Sequence, residues 1–423
     1  MFSLAIAYLR DRILTTALNI LLLGIAVATL VMLLNLSSQV GQRFEKDAAG
    51  VDLVVGAKGS PLQLILSALY QIDMPTGNIP LSAVDTLRRD PSVARVIPMA
   101  LGDTFRGYRI VGTEPSYVQL HQGTLATGRM FGGHGEALIG SEVARKTGMS
   151  LGQQFLGSHG LGDADGGSEH EGHPFRAVGI LKPTGSVLDR LVLVSMETVW
   201  DVHGIHHGDI SHDHANGHGE HHQEHHHADE AGHGLHDEAE LKPEVTALLV
   251  TYRNAFGAVR VPSLINRQTD MQAAVPAIET ARLLSLLGVG IDGARLFAWL
   301  LAATGGLSIF VALLQAASAR EGDLALLRVM GASPARVFGT IMAEGLITAA
   351  AGAAVGLLLG HVVLAFAVSA FERLQDISLD PWALHPGEAG IVAAVLGIGA
   401  IASLVPAIRV FRIDLAQTLA RAS

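Results

Sequence analysis

Four stretches of the chain are predominantly apolar and long enough to cross a bilayer. Ile13–Leu36 runs 24 residues without a charge, Leu296–Ala319 another 24, Gly345–Phe371 27 after a single Glu344, and Ala389–Ile408 20. At a 1.5 Å rise, about 20 residues cover the hydrocarbon core. One such run could be a buried helix of a large soluble core, but four in one chain exceed what globular helices show. The first run is too long for a secretory h-region of about 7–15 residues and is followed by no small-x-small cleavage site, so it reads as a retained span. Met1–Arg12 before it is an amphipathic lead-in, with Phe2, Ile6 and Leu9 apolar and Arg10 and Asp11 polar.

Between the first two runs the pattern changes to short alternating or β-branched segments. Val51–Val55, Arg95–Met99, Tyr108–Gly112, Phe175–Leu181 and Leu191–Ser195 predict strands, punctuated by Gly and Pro. Pro61–Tyr70, Leu81–Arg89, Ser141–Thr147 and Gln272–Leu287 predict helices. Ser141 is the expected N-cap of the third, Gly148 its stop, and Pro276 the start or kink of a stalk helix. The predicted fold class is an integral membrane α-helical protein with four transmembrane helices and a large α+β extracytoplasmic domain between helices 1 and 2. The segments read as 1–36 (lead-in and helix 1), 37–292 (α+β domain and stalk), 293–319 (helix 2), 320–336 (cytoplasmic helix), 337–371 (helix 3), 372–388 (outer loop), 389–408 (helix 4) and 409–423 (tail).

Basic residues in the short flanks set the orientation. Arg10 and Arg12, then Arg320, Arg328 and Arg336, then Arg409, Arg412 and Arg421 mark the cytoplasmic side, whereas the loop between helices 3 and 4 has four acids against Arg373. Both termini are expected in the cytoplasm of a bacterial cell, with the chain in the inner membrane. Composition agrees: only 16% of residues are charged and mean hydropathy is +0.38, against about 25% charge in soluble domains. The absence of cysteine excludes disulfide scaffolds and thiolate metal sites. The net charge of −10 is local, because 203–240 holds nine carboxylates and no Lys or Arg. No global basic field exists to attract nucleic acid.

That same segment holds 13 of the 20 histidines. His206, His207, His212, His214, His221, His222, His225, His226 and His227 are candidate ligands for zinc or a similar divalent metal, since imidazole with nearby carboxylates suits such ions. A solvated spacer or a pH-sensitive loop is the plainer alternative. The composition predicts a disordered insertion that cannot bury a core. A second Gly-, Asp- and His-rich insertion covers Gly157–His173, and its His170-Glu171-Gly172-His173 lacks the H-E-x-x-H spacing of a zinc protease.

The segment Ala319–Phe338 (AREGDLALLRVMGASPARVF) carries the most specific pattern. Leu324, Leu327, Val329 and Met330 fall on one side of a short helix, Glu321, Asp323 and Arg328 on the other, and Gly331 ends it. Such a stripe packs on the interface or the protein's own spans, or docks into a partner's groove. The segment resembles the "REREIALLRALGAS" signature of FtsX-like permeases, the MacB-type (type VII) ABC transporter family. Ile341–Gly360, Val405–Ala420, Gly135–Phe155 and Phe175–Trp200 are also similar to segments of that family. Gly322, Asp323 and Leu415 depart from its patterns. The resemblance implies a permease whose cytoplasmic coupling helix (Glu321, Asp323, Leu324, Leu327, Arg328, Met330, Gly331) meets a separate ATPase. It also implies a homodimer and a mechanical relay to the outer domain, with a periplasmic adaptor or metal-binding protein as a further partner. ATP would be bound by the partner, since this chain has no G-x-x-x-x-G-K-[ST]. A transmembrane signal transmitter that regulates an envelope enzyme without moving a substrate is the alternative, and a metal sensor or chaperone the third. Within the spans, Glu344 is the one carboxylate expected, either functional or an interfacial group contacting Arg336 or a helix end. Val54–Pro80 predicts a helix that either covers the domain or lies at the membrane interface.

Overall fold

A computed structural model of the 423-residue chain describes residues 2–159, 174–202, 243–319, 329–371 and 379–411. The helices in these residues are α1 (Phe2–Asp11), α2 (Ile13–Ala48), α3 (Pro61–Ala68), α4 (Ser82–Arg88), α5 (Pro115–Leu120), α6 (Ser141–Thr147), α7 (Met196–Val202), α8 (Ala255–Gln268), α9 (Pro276–Ala319), α10 (Pro334–Ala370) and α11 (Pro386–Phe411). The strands are β1 (Leu53–Ala57), β2 (Ile79–Pro80), β3 (Val93–Phe105), β4 (Tyr108–Thr113), β5 (Leu125–Gly128), β6 (Glu136–Ile139), β7 (Gln154–Phe155), β8 (Ser158–His159), β9 (Phe175–Leu181), β10 (Leu191–Val194), β11 (Glu244–Val245), β12 (Ala247–Tyr252) and β13 (Met271–Ala274). Two compact units result: Met1–Arg43 with Arg282–Ser423, and Phe44–Ala281.

The inserted unit is α+β. Its main sheet runs β13-β1-β12-β3-β4-β10-β6-β9-β5, with β7 on β9 and β8 on β3. Only β4–β10 and β6–β9 pair in parallel within it. Both faces of the sheet are covered. Leu53 and Val55 pack with Val84, Leu87, Val143, Val261 and Ile265, while Val54 between them packs with Ile65, Leu69, Tyr117 and Val118. A strand buried on both faces needs no alternation, which is why LVV at β1 and LVLV at β10 read as unbroken apolar runs. Val54–Pro80 places α3 against the second of these faces, so its apolar stripe is core.

In the other unit, four helices are long and apolar enough to cross a membrane: α2, α9, α10 and α11. They pack by close approach. On α10, a Cβ at Gly352 would lie 3.0 Å from the Leu23 side chain, one at Gly356 2.4 Å from Val27 Cβ and 2.7 Å from the Gly24 carbonyl, and one at Gly360 3.1 Å from the Ala28 carbonyl. Spaced four apart, these glycines form one groove into which Leu23, Val27 and Val31 of α2 fit, all three buried. On the other side of α10, Gly345 meets Ser403 and Gly399 of α11 meets Ala349.

Several elements differ from their sequence-based outlines. The first span helix continues past Leu36 to Ala48, because Ser37, Ser38 and Gln39 are polar without being helix breakers; it stops before Gly50, whose φ is +80°. The stalk expected over Gln272–Leu287 begins at Pro276, and Met271–Ala274 form strand β13 against β1. Proline at the first helical turn has no N–H to lose, so it starts the helix without kinking it. The N-cap of α6 is Gly140, not Ser141. A side chain at residue 140 would meet the Leu188 and Asp189 carbonyls at 2.4 and 2.5 Å, so only glycine fits. Gly148 does end α6, in the left-handed conformation at φ +71°. Strands β5, β6, β12 and β13 and helices α5, α7 and α8 were not foreseen.

Two outcomes follow from this packing. Gly356→Val should lower the thermal unfolding midpoint of the full chain in detergent, since overpacking a tight contact costs about 1–3 kcal/mol. Gly397→Val, where a Cβ meets nothing within 4 Å, should leave the midpoint unchanged; equal midpoints for both variants would refute the groove. The second concerns His121, whose ring lies 4.9 Å from Tyr117, edge-on, with Nε2 unpartnered. Burial pushes its imidazole down to about 4. Between about pH 6.5 and this value the unfolded chain binds the extra proton, so stability should fall as pH drops through that window and be insensitive to His121 above it. In His121→Leu the slope of melting temperature against pH in the window should be shallower.

Candidate functional site

Of the coupling residues expected from sequence, Glu321, Asp323, Leu324, Leu327 and Arg328 lie outside the described residues. Met330 and Gly331 are described. Val329 and Met330 are 61% and 68% exposed, a pair of large apolar side chains left uncovered in this chain. Gly331 has φ +97°, a left-handed position that favours glycine after a helical turn. Ser333 then caps α10, its Oγ accepting from the Arg336 N–H at 3.4 Å, with Pro334 in the first turn. The segment therefore turns sharply between the exposed apolar pair and the start of the next span.

Glu344 lies nearly three turns into α10 and is 5% exposed. It lines a small cavity of about 40 Å³ shared with Tyr8, Arg12, Asn19, Leu313 and Thr348, so α1, α2, α9 and α10 all contribute walls. The basic residue in this lining is Arg12. Nearby, Ser308 donates to Asn19 Oδ1 at 2.6 Å, linking α9 to α2 through polar side chains inside the apolar layer.

At the other end of the spans the structure corrects the expectation that Glu344 is the one acidic group among them. Glu388, assigned from sequence to a loop, belongs to the first turn of α11 and is 6% exposed. Its Oε1 accepts from Asn35 Nδ2 of α2 at 2.9 Å and from the His385 N–H at 3.2 Å. Its Oε2 lies 3.4 Å from Nε2 of His361 on α10, also 6% exposed. Three spans thus meet at one buried polar cluster. The available signal was a histidine inside an otherwise apolar helix, together with asparagines at two positions of the first run.

In the inserted unit, the nine tract histidines fall outside the described residues. The chain enters the tract from α7 and leaves it at β11, and Trp200 Nε1 of the one donates to the Glu244 carbonyl of the other at 2.8 Å. Beside that junction His134 Nδ1 and Asp201 Oδ2 are 2.5 Å apart. Among the described residues, no three His, Asp or Glu side chains gather as a metal site. A cleft of about 420 Å³ opens between α4, α5 and α7, with Val84, Phe131, Met196 and Trp200 buried in its wall and Asp85 and Glu197 exposed.

Comparison with known proteins bears on both units. The family profile of the MacB-like periplasmic core domain matches residues 16–216. That of the FtsX-like permease C-terminal region matches residues 295–415. Solved structures similar to the chain include the periplasmic region of MacB from Actinobacillus actinomycetemcomitans (10% identity, TM-score 0.33, 56% of this chain and 95% of that one). The extracellular domain of the noncanonic ABC-type transporter YknZ from Gram-positive bacteria also matches (14%, 0.29, 53% and 98%). So does a domain of a putative permease protein from Porphyromonas gingivalis (13%, 0.26, 54% and 88%). No curated protein matches the chain. One profile thus covers the first span and much of the inserted domain, the other the last three spans, and the chain belongs to the FtsX-like, MacB-type family of ABC transporter permeases.

Proposed function

We propose that this permease couples ATP hydrolysis by a separate cytoplasmic ATPase to movement of its inserted domain. The observation that carries the reading is the FtsX-like match over 295–415, which takes in the segment resembling the family's coupling signature. The exposed Val329 and Met330 at its end supply apolar surface for a partner. Glu321, Asp323 and Arg328 would form the polar side of the contact, and Leu324 and Leu327 its apolar side. Helices α2 and α9 each contribute residues to both units, and under this reading they transmit the push. The working assembly is a homodimer in the bacterial inner membrane, with both termini and the coupling segment in the cytoplasm. A periplasmic adaptor or metal-binding protein completes it.

The histidine tract adds a metal-handling role. Histidines 206, 207, 212, 214, 221, 222 and 225–227 would bind zinc or a similar divalent ion, the nearby carboxylates adding charge.

In a reconstituted complex, Leu327→Asp should abolish stimulation of the partner ATPase while membrane insertion stays intact; coupled activity at the level of the unmodified chain would remove the docking assignment. Deletion of 203–240 should preserve the thermal unfolding transition and lower the number of zinc ions bound in a calorimetric titration. An unchanged titration would count against the tract.

A further inference from the structure

The buried contact between His361 and Glu388 poses a proton-counting problem. His361 Nδ1 lies 2.7 Å from the Pro381 carbonyl oxygen. A carbonyl only accepts, so Nδ1 must carry a hydrogen and donate it. In a neutral ring this leaves Nε2 with a bare lone pair, and Nε2 has no hydrogen-bond partner of good geometry. Yet it faces Glu388 Oε2 at 3.4 Å, with both side chains 7% exposed. An ionised carboxylate opposite a bare nitrogen sets two lone pairs against each other where little water can screen them. One proton in the gap removes the conflict, either as imidazolium and carboxylate or as imidazole and carboxylic acid.

We propose that His361 and Glu388 form a binding site for a single proton, which latches α2, α10 and α11 together at this end of the spans. Glu388 Oε1 is held by Asn35 of α2, which also donates to the Val31 carbonyl at 3.2 Å. His361 stacks on Trp382 at 6.0 Å and 17°. Gln39 of α2 clamps the same loop, donating to the Asp380 carbonyl at 2.9 Å and accepting from its N–H at 2.8 Å. The other titratable groups facing the cluster among the described residues are His385, whose Nδ1 accepts from the Gly387 N–H, and Asp380, whose Oδ1 accepts from the Trp382 N–H. From α2, Asn35 and Gln39 reach the cluster and its loop through their amides. Loss of the proton leaves the two bare groups opposed, and the three helices separate at this end.

The test uses the full chain in nanodiscs. The sequence has no cysteine, so Gly41→Cys on α2 and Gly390→Cys on α11, both with open space around a Cβ, accept spin labels selectively. Pulsed electron–electron distances are read from about pH 5 to about pH 10. A longer distance should grow in as pH rises, the closed-to-open ratio falling by up to about tenfold per pH unit, the limit for one linked proton. Glu388→Gln places an amide donor opposite Nε2 without a titrating proton, and should hold the short distance across the whole range. A distance that does not change with pH in the unmodified chain overturns the proposal, and so does a pH response that persists in Glu388→Gln.

Discussion

The membrane unit depends on how closely two helices can approach. Lipid tails are as apolar as leucine, so burying Leu23, Val27 and Val31 of α2 gains little from excluding water. What holds α2 on α10 is dispersion over a matched surface, and that force fades within an ångström of separation. Gly352, Gly356 and Gly360 supply the match by removing the side chains that would keep the backbones apart. The same approach sets where the polar groups of the two helices fall, because Asn19 and Asn35 share helix α2 with the three buried apolar residues.

Polar residues in the spans are costly and here are gathered toward the ends. Glu344 sits near the start of α10 in a cavity walled partly by α1 and α2; His361 and Glu388 sit near the opposite end with Asn35. Between the two levels α10 presents mainly small and apolar residues. An unpaired polar group in the hydrocarbon layer has no water to turn to, so each must be satisfied by a neighbouring helix. These sites therefore tie the spans to one another as specifically as the glycine groove does.

The inserted unit solves a different problem. Its sheet is covered on both faces, so strands of Val and Leu are wholly withdrawn from water and form a rigid platform. The histidine tract leaves and rejoins this platform at α7 and β11, two elements joined directly by Trp200 and Glu244. A long insertion with adjoining ends adds little loop-closure cost to the domain, which is how such a polar segment can be carried on a folded core.

Hydrophobic period and length determined the four spans and the mixed character of the inserted domain, because a bilayer demands long uncharged helices; the family was legible through the resemblance of contiguous motifs such as Ala319–Phe338. Strand β9 and helix α6 were legible for the same reason, each being a local pattern. Strands β12 and β13 and helix α8 were not, since their residues become core only when distant strands pair. Only the folded chain decided that Gly140 rather than Ser141 caps α6, for the reason is a pair of carbonyls some fifty residues away. Only the folded chain brought Asn35, His361 and Glu388 together, across |i−j| of 353 from the first to the last. Sequence records which side chains are polar; tertiary contact decides which of them must share a buried space, and so which protons and hydrogen bonds they have to share.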